Sequence, residues 1–152
     1  MTSSDISYVN EDFGFYPTPP ELAKKMIADI DFRYISSILE PSAGKGDILR
    51  EVARKVKGEH DRLDVDCIEI DPNLRQILKY NFSYERKLEL NHKLEAIKSK
   101  RKYDYNARKY KELTAQENTE LNNLSDEKTC FFDKGIHIVH DNFLTYKPFK
   151  KI

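Results

Sequence analysis

The sequence predicts an α/β domain built on a small parallel sheet, with a charged helical insertion. Three observations carry this. Short apolar runs near 35–40, 63–70 and 136–139 alternate with segments of helical period. Tight Pro/Gly- or Asp-containing loops follow those runs, at the ends where strands would stop. All six prolines and all five glycines lie within 14–72 or 135–148, so the 62 residues between Pro72 and Gly135 contain no helix breaker.

The elements follow in order. Tyr16-Pro17-Thr18-Pro19-Pro20-Glu21 reads as a helix start, with Thr18 as N-cap, Pro19 as first helical residue and Glu21 closing a capping box. Leu22, Met26 and Ile30, with Ala23 and Ile27, form its apolar face. Ile35 to Glu40 reads as a short buried strand, and Pro41 to Gly46 as a tight loop. Asp47 to Lys57 reads as a helix with Ile48, Leu49, Val52, Ala53 and Val56 on one side, ended by Gly58. Leu63 to Ile70 is the second strand. Asp71-Pro72-Asn73 opens a helix that turns Leu74, Ile77 and Leu78 inward. Ile136 to Val139 is the third strand, ending at His140-Asp141. Strand–helix–strand–helix–strand with short loops favours parallel strands joined by right-handed crossovers. Ligands of such sheets sit outside the carboxyl ends of the strands.

The segment 85–133 is the expected insertion. Residues 85–111 hold ten Lys/Arg and four Asp/Glu, a net of +6; residues 112–133 hold one Lys/Arg and six Asp/Glu, a net of −5. Its apolar residues suggest two antiparallel helices, broken near Tyr103–Ala107 or near Thr114, with opposite charges helping them pair.

A chain of 152 residues is one domain, and charged residues at 34% with a mean hydropathy of −0.73 make it polar. A net charge of zero excludes a globally basic nucleic-acid binder but leaves room for a local basic patch. No apolar run approaches the ~20 residues of a membrane span. Met1 to Asn10 has neither the basic nor the apolar region of a signal peptide. Cys67 and Cys130 do not make a disulfide framework, so a reducing cytoplasm is expected. His137 and His140, three apart on a strand, face opposite sides and cannot share a metal. No metal site is expected.

The loop Glu40-Pro41-Ser42-Ala43-Gly44-Lys45-Gly46-Asp47 is the informative stretch, because glycines in a strand-to-helix turn let backbone approach a ligand. A phosphate-cradling nucleotide loop would need Gly at 39 and Ser or Thr at 46, where Leu39 and Gly46 stand. A dinucleotide fingerprint would need a third glycine at Leu49. S-adenosylmethionine has no phosphate. It needs small residues for close approach and acids for its ribose hydroxyls and amine, which Glu40, Asp47, Glu69 and Asp141 supply at the strand ends.

Here a resemblance becomes specific. Ile38-Leu39-Glu40-Pro41-Ser42-Ala43-Gly44-Lys45-Gly46-Asp47 resembles motif I of class I S-adenosylmethionine-dependent methyltransferases, in the form typical of adenine-specific DNA methyltransferases. Cys67-Ile68-Glu69-Ile70-Asp71-Pro72 resembles their motif II, and Asp141-Asn142-Phe143-Leu144 their motif III. Phe15-Tyr16-Pro17-Thr18-Pro19-Pro20-Glu21 resembles the motif that precedes motif I in one subgroup. The four motifs, in family order, are spread over about half the chain, outside the insertion.

The resemblance implies a Rossmann-like methyltransferase fold, of which this chain would hold a partial parallel sheet. It also implies a cofactor, S-adenosylmethionine, and a role in DNA methylation. Tyr16 and Thr18 would meet the methionine carboxylate. Glu40, Ser42, Ala43 and Gly44 would wrap the methionine part, with Gly46 and Asp47 completing the loop. Glu69 would take both ribose hydroxyls, since a carboxylate accepts two parallel hydrogen bonds. Ile70 would pack on the adenine, Asp141 would accept from its amino group, and Phe143 would cover its face. Plainer readings stand beside these: Thr18 as a helix cap, Asp47 as an acid facing a helix dipole, Asp141-Asn142 as a turn.

In the adenine-methylating families the acceptor amine is held by an Asn/Asp-Pro-Pro-Tyr/Phe loop after the fourth strand, and its aromatic ring stacks on the flipped base. No such tetrapeptide occurs in these 152 residues. The expectation is the cofactor-binding part of a DNA methyltransferase, truncated before its catalytic motif and lacking catalytic residues of its own. The other expectation is a non-catalytic binding module, or part of an RNA or protein methyltransferase. Expected partners are DNA through Lys98 to Lys102 and a C-terminal partner or second copy of the chain, but no membrane. In the resembled fold the first strand is central, so without a fourth strand one of its edges would stand open to association.

Overall fold

The computed structural model describes residues 16–57, 63–101 and 103–147. The expectations placed on Phe15, Gly58 and Lys102 lie outside those residues. Three strands, β1 (Ser37–Glu40), β2 (Asp64–Ile68) and β5 (His137–His140), form one parallel sheet in the order β1-β2-β5. The helices α1 (Pro20–Ile27), α2 (Asp47–Val56), α3 (Pro72–Asn81), α4 (Tyr84–Lys98) and α5 (Ala115–Glu127) complete it. A small antiparallel pair, β3 (Tyr103–Asp104) and β4 (Lys109–Tyr110), sits between α4 and α5.

The α/β class and the parallel sheet are as the sequence predicts. The first two strands are shorter than their apolar runs, and the third is shifted by one residue, His137–His140 in place of Ile136–Val139. Phe32–Tyr34 forms a 3-10 turn capped by Asp31, so β1 begins at Ser37. β2 stops at Ile68, which leaves Glu69 and Ile70 on the turn into α3. Central β2 buries Val65, Cys67 and Ile68 completely, whereas β1 and β5 alternate between half-buried and exposed positions. Leu49, Val52, Ala53 and Val56 of α2 and Leu78 of α3 pack with Val65 and Cys67 on one sheet face. Leu39, Asp66 and His137 are register neighbours on the opposite face, where Leu39 and His137 are exposed.

The first helix departs from expectation. Thr18 is not its cap: Pro19 is, without a side-chain hydrogen bond, and Pro20 is the first helical residue. A residue before proline is pushed to extended backbone, and Pro19 has φ −59° and ψ 143°. That moves the helix start one residue onward, so no capping box forms. Ala23 and Ile27 face inward, while Leu22, Met26 and Ile30 are exposed. The seat is fixed by Lys55 of α2, whose Nζ donates to the carbonyls of Ile27, Ala28 and Ile30 at 2.7, 2.9 and 2.8 Å.

Both expected break points of the central segment are used. Leu90, Leu94 and Ile97 of α4 bury against Leu124 of α5. Arg86 pairs with Glu127 at 3.1 Å and Lys100 with Glu117 at 3.4 Å, which makes the helices antiparallel. Thr114 caps α5 with a full capping box through Glu117. Arg54 ties α2 to α5 through Asp126 at 2.7 Å and also pairs with buried Glu51. No helix among the described residues is long and apolar enough to cross a membrane.

Among the described residues β1 pairs only with β2. Its other edge carries open backbone groups beside exposed Leu39, the feature that recruits further strands. The chain is therefore expected to associate at micromolar concentration in sedimentation, and Leu39→Lys is expected to shift it toward monomer. A cooperative, monomeric wild type would show that this edge is covered within the chain.

Candidate functional site

A cavity of about 480 Å³ opens at the carboxyl ends of the three strands, within the size range of small-molecule sites. Besides Tyr16 and Thr18 ahead of α1, three chain segments build it, one after each strand. The first is the loop after β1. Ala43 N–H donates to the Ile68 carbonyl at 2.9 Å, tying the loop to β2, and Gly46 N–H donates to the Ala43 carbonyl at 2.8 Å. Gly44 and Gly46 have φ values of +57° and +92°, in the region that favours glycine. Asn81, at the end of α3, donates from Nδ2 to the Lys45 carbonyl at 2.9 Å and so braces the loop from behind.

The second segment is the turn after β2. Glu69 is buried, and the nearby backbone amides of Gly44, Ile70 and Asp71 favour its charged form. Burial is the main cause that raises its pKa above the ordinary carboxylate value, the negative charge of Asp71 adds to it, and the three amides oppose it. Arg75 fixes the turn by donating Nη1 to the carbonyls of Glu69 and Ile70 at 2.8 and 3.0 Å. Asp71 caps α3 by accepting from Asn73 and Leu74 N–H at 2.8 and 3.4 Å. Its Oδ2 is buried without a partner among the described residues.

The third segment follows β5. Asn142 accepts Leu144 N–H at 3.0 Å and so caps the 3-10 turn Phe143–Thr145. That turn presents Phe143, half-exposed, to the cavity, beside Asp141. The Asp141 carboxylate lies 3.3 Å from His140 Nδ1.

Of the twelve nominated residues, ten line this one cavity: Tyr16, Thr18, Ser42, Ala43, Gly44, Asp47, Glu69, Ile70, Asp141 and Phe143. With its capping role gone, Thr18 is left with a place in the cavity wall. Glu40 and Gly46 do not line it. The Glu40 carboxylate turns back to accept Ser42 N–H at 3.0 Å, holding the loop. Gly46 is buried behind the loop against Phe82 and Leu78. Pro41, Ile48, Ile68, Leu74, Asn142 and Leu144 also line the cavity and were not nominated. Pro41, Ile68, Asn142 and Leu144 lie inside the quoted motifs, whereas Ile48 and Leu74 read from their helical period as core alone.

Cys67 lies behind the site in the core, and burial pushes its thiol up to about 12, which makes it a packing residue. No group of three His, Cys, Asp or Glu among the described residues is placed to hold a metal. No protein family, curated protein or solved structure matches the chain.

Proposed function

We propose that this chain is the donor-binding part of an adenine-specific DNA methyltransferase, holding S-adenosylmethionine or its demethylated product in the cavity at the strand ends. The observation that carries the reading is the buried Glu69 carboxylate facing that cavity between a glycine loop and an acidic third segment. A buried carboxylate is costly unless donors reach it; the amides of Gly44, Ile70 and Asp71 offset that only in part, since its pKa stays raised, and two vicinal ribose hydroxyls are further donors. Ile70 and Phe143 offer apolar surface to a flat base, and Asp141 accepts from an amino group. The small residues Ala43 and Gly44 allow close approach of the methionine part, whose carboxylate end lies toward Tyr16 and Thr18. When bound, S-adenosylmethionine supplies an electrophilic methyl group for transfer to an exocyclic amine. Cys67 and Cys130 are free and buried, which fits a reducing cytoplasm.

The test is calorimetry of the 152-residue chain with S-adenosylmethionine, its demethylated product, ATP and NAD. Saturable binding of the first two alone is expected. Binding of ATP or NAD without the methyl donor would overturn the assignment.

The reading separates donor binding from transfer. None of these 152 residues forms the Pro-Pro-aromatic loop that holds the acceptor amine in the resembled family. The purified chain alone is therefore expected to transfer no labelled methyl to adenine-containing DNA; incorporation above background would refute this. The expected DNA contact at Lys98–Lys102 gains little from the fold. Lys98 pairs with Glu95 at 3.9 Å, Lys100 with Glu117 at 3.4 Å and Arg101 with Glu112 at 4.0 Å.

A further inference from the structure

Sixteen residues join α4 to α5, although antiparallel helices of a bundle are usually connected by about 2–8. The excess is organised as the β3–β4 hairpin. Residues 100–111 contain six Lys/Arg, one acid and three tyrosines. At its base Lys100 pairs with Glu117 of α5 and Arg101 with Glu112 in the segment before α5, but Arg108, Lys109 and Lys111 are exposed around the turn and the second strand. Tyr105 is 84% exposed at the turn. Tyr103 pairs with it in a T-shaped contact, with ring centroids 4.9 Å apart, which orients the Tyr105 ring while it stays largely in solvent. Arg108 has φ +51°, a left-handed conformation that costs a non-glycine residue about 1–2 kcal/mol. A simple connector needs neither so exposed an aromatic ring nor an arginine where glycine would fit better.

We infer that this hairpin binds single-stranded nucleic acid, with Tyr105 stacking on an unpaired base and Arg108, Lys109 and Lys111 contacting the flanking phosphates. Stacking on tyrosine is indifferent to base identity, and exposed cations beside the ring match the charge of the backbone on either side of the stacked base. A duplex keeps its base faces covered, so it offers the cations phosphates but offers the ring nothing. The inference is independent of the donor cavity, because binding is read without S-adenosylmethionine.

The test is fluorescence anisotropy of the full chain with labelled oligothymidylate and with a duplex of equal length, at several salt concentrations. The single strand is expected to bind more tightly. Tyr105→Ala is expected to weaken it about tenfold while leaving the salt slope unchanged. Lys109→Glu with Lys111→Glu is expected to reduce the log–log slope by about 1.4, from about 0.7 per phosphate on a single strand. Arg108→Gly separates binding from folding: it removes a charge and relieves the backbone, so affinity falls while the melting temperature does not. Unchanged affinity in Tyr105→Ala, or a duplex bound as tightly as the single strand, would overturn the inference.

Discussion

Glu69→Ala is expected to weaken binding of S-adenosylmethionine and its demethylated product more than a hundredfold at a pH where Glu69 is ionised. Two hydrogen bonds to a charged acceptor are lost, each about 1.5–3 kcal/mol. The direction of the Glu69 pKa gives a second signature. Burial raises it in the free chain, and hydroxyl donors from a ligand would favour the ionised form and lower it. Affinity is therefore level above the raised value and falls as pH drops through it, above the range of an ordinary carboxylate. Folding runs the other way. A carboxyl group whose folded pKa lies above its unfolded one destabilises the fold progressively as pH rises between the two values, and the penalty persists above both. Ligand-free wild type is thus expected to lose stability across that window, a loss absent from Glu69→Ala. Calorimetry and thermal melting at several pH values read both effects. Equal affinity for wild type and Glu69→Ala would remove Glu69 from the site.

Where local chemistry decides the conformation, the sequence is easy to read. Asp71-Pro72 announces α3 because an acid accepts the first free amides and proline fits the first helical position, and both hold. The inward face of α2 follows from its apolar period because one side packs on the sheet throughout. Tertiary context decides the rest. In α1 the larger residues Leu22 and Met26 look like the core face, yet Ala23 and Ile27 take it, because Lys55 draws the end of the helix onto α2. The β3–β4 hairpin is hidden in a stretch without Gly or Pro, since its turn places Arg108 in a left-handed conformation that sequence assigns to glycine. At the site, the motifs nominate residues that share a loop without separating those lining the cavity from those holding the loop. Glu40 and Gly46 belong to the second kind.

Gly46→Ala is expected to lower stability by about 3 kcal/mol, a large share of the ~5–15 kcal/mol typical of a domain. Two causes combine. At φ +92° an L residue is strained, which accounts for about 1–2 kcal/mol. A Cβ there would also enter the Phe82 ring, with Phe82 Cζ at 3.0 Å and Leu78 Cδ1 at 3.1 Å; such overpacking costs about 1–3 kcal/mol. Phe82 cannot swing aside freely, because it is buried and stacked on Phe132 with centroids 5.7 Å apart. Leu78 is fully buried as well. The melting temperature should fall by about 10 °C, at about 2–4 °C per kcal/mol for a chain of this size. A double-mutant cycle with Phe82→Leu tests the steric part, because the smaller side chain vacates the volume that the new methyl group enters. The combined variant is expected to be more stable than the sum of the two single losses predicts. Additive losses would locate the strain in the backbone alone. A Gly46→Ala chain that melts like wild type but no longer binds the methyl donor would show that Gly46 faces the ligand after all.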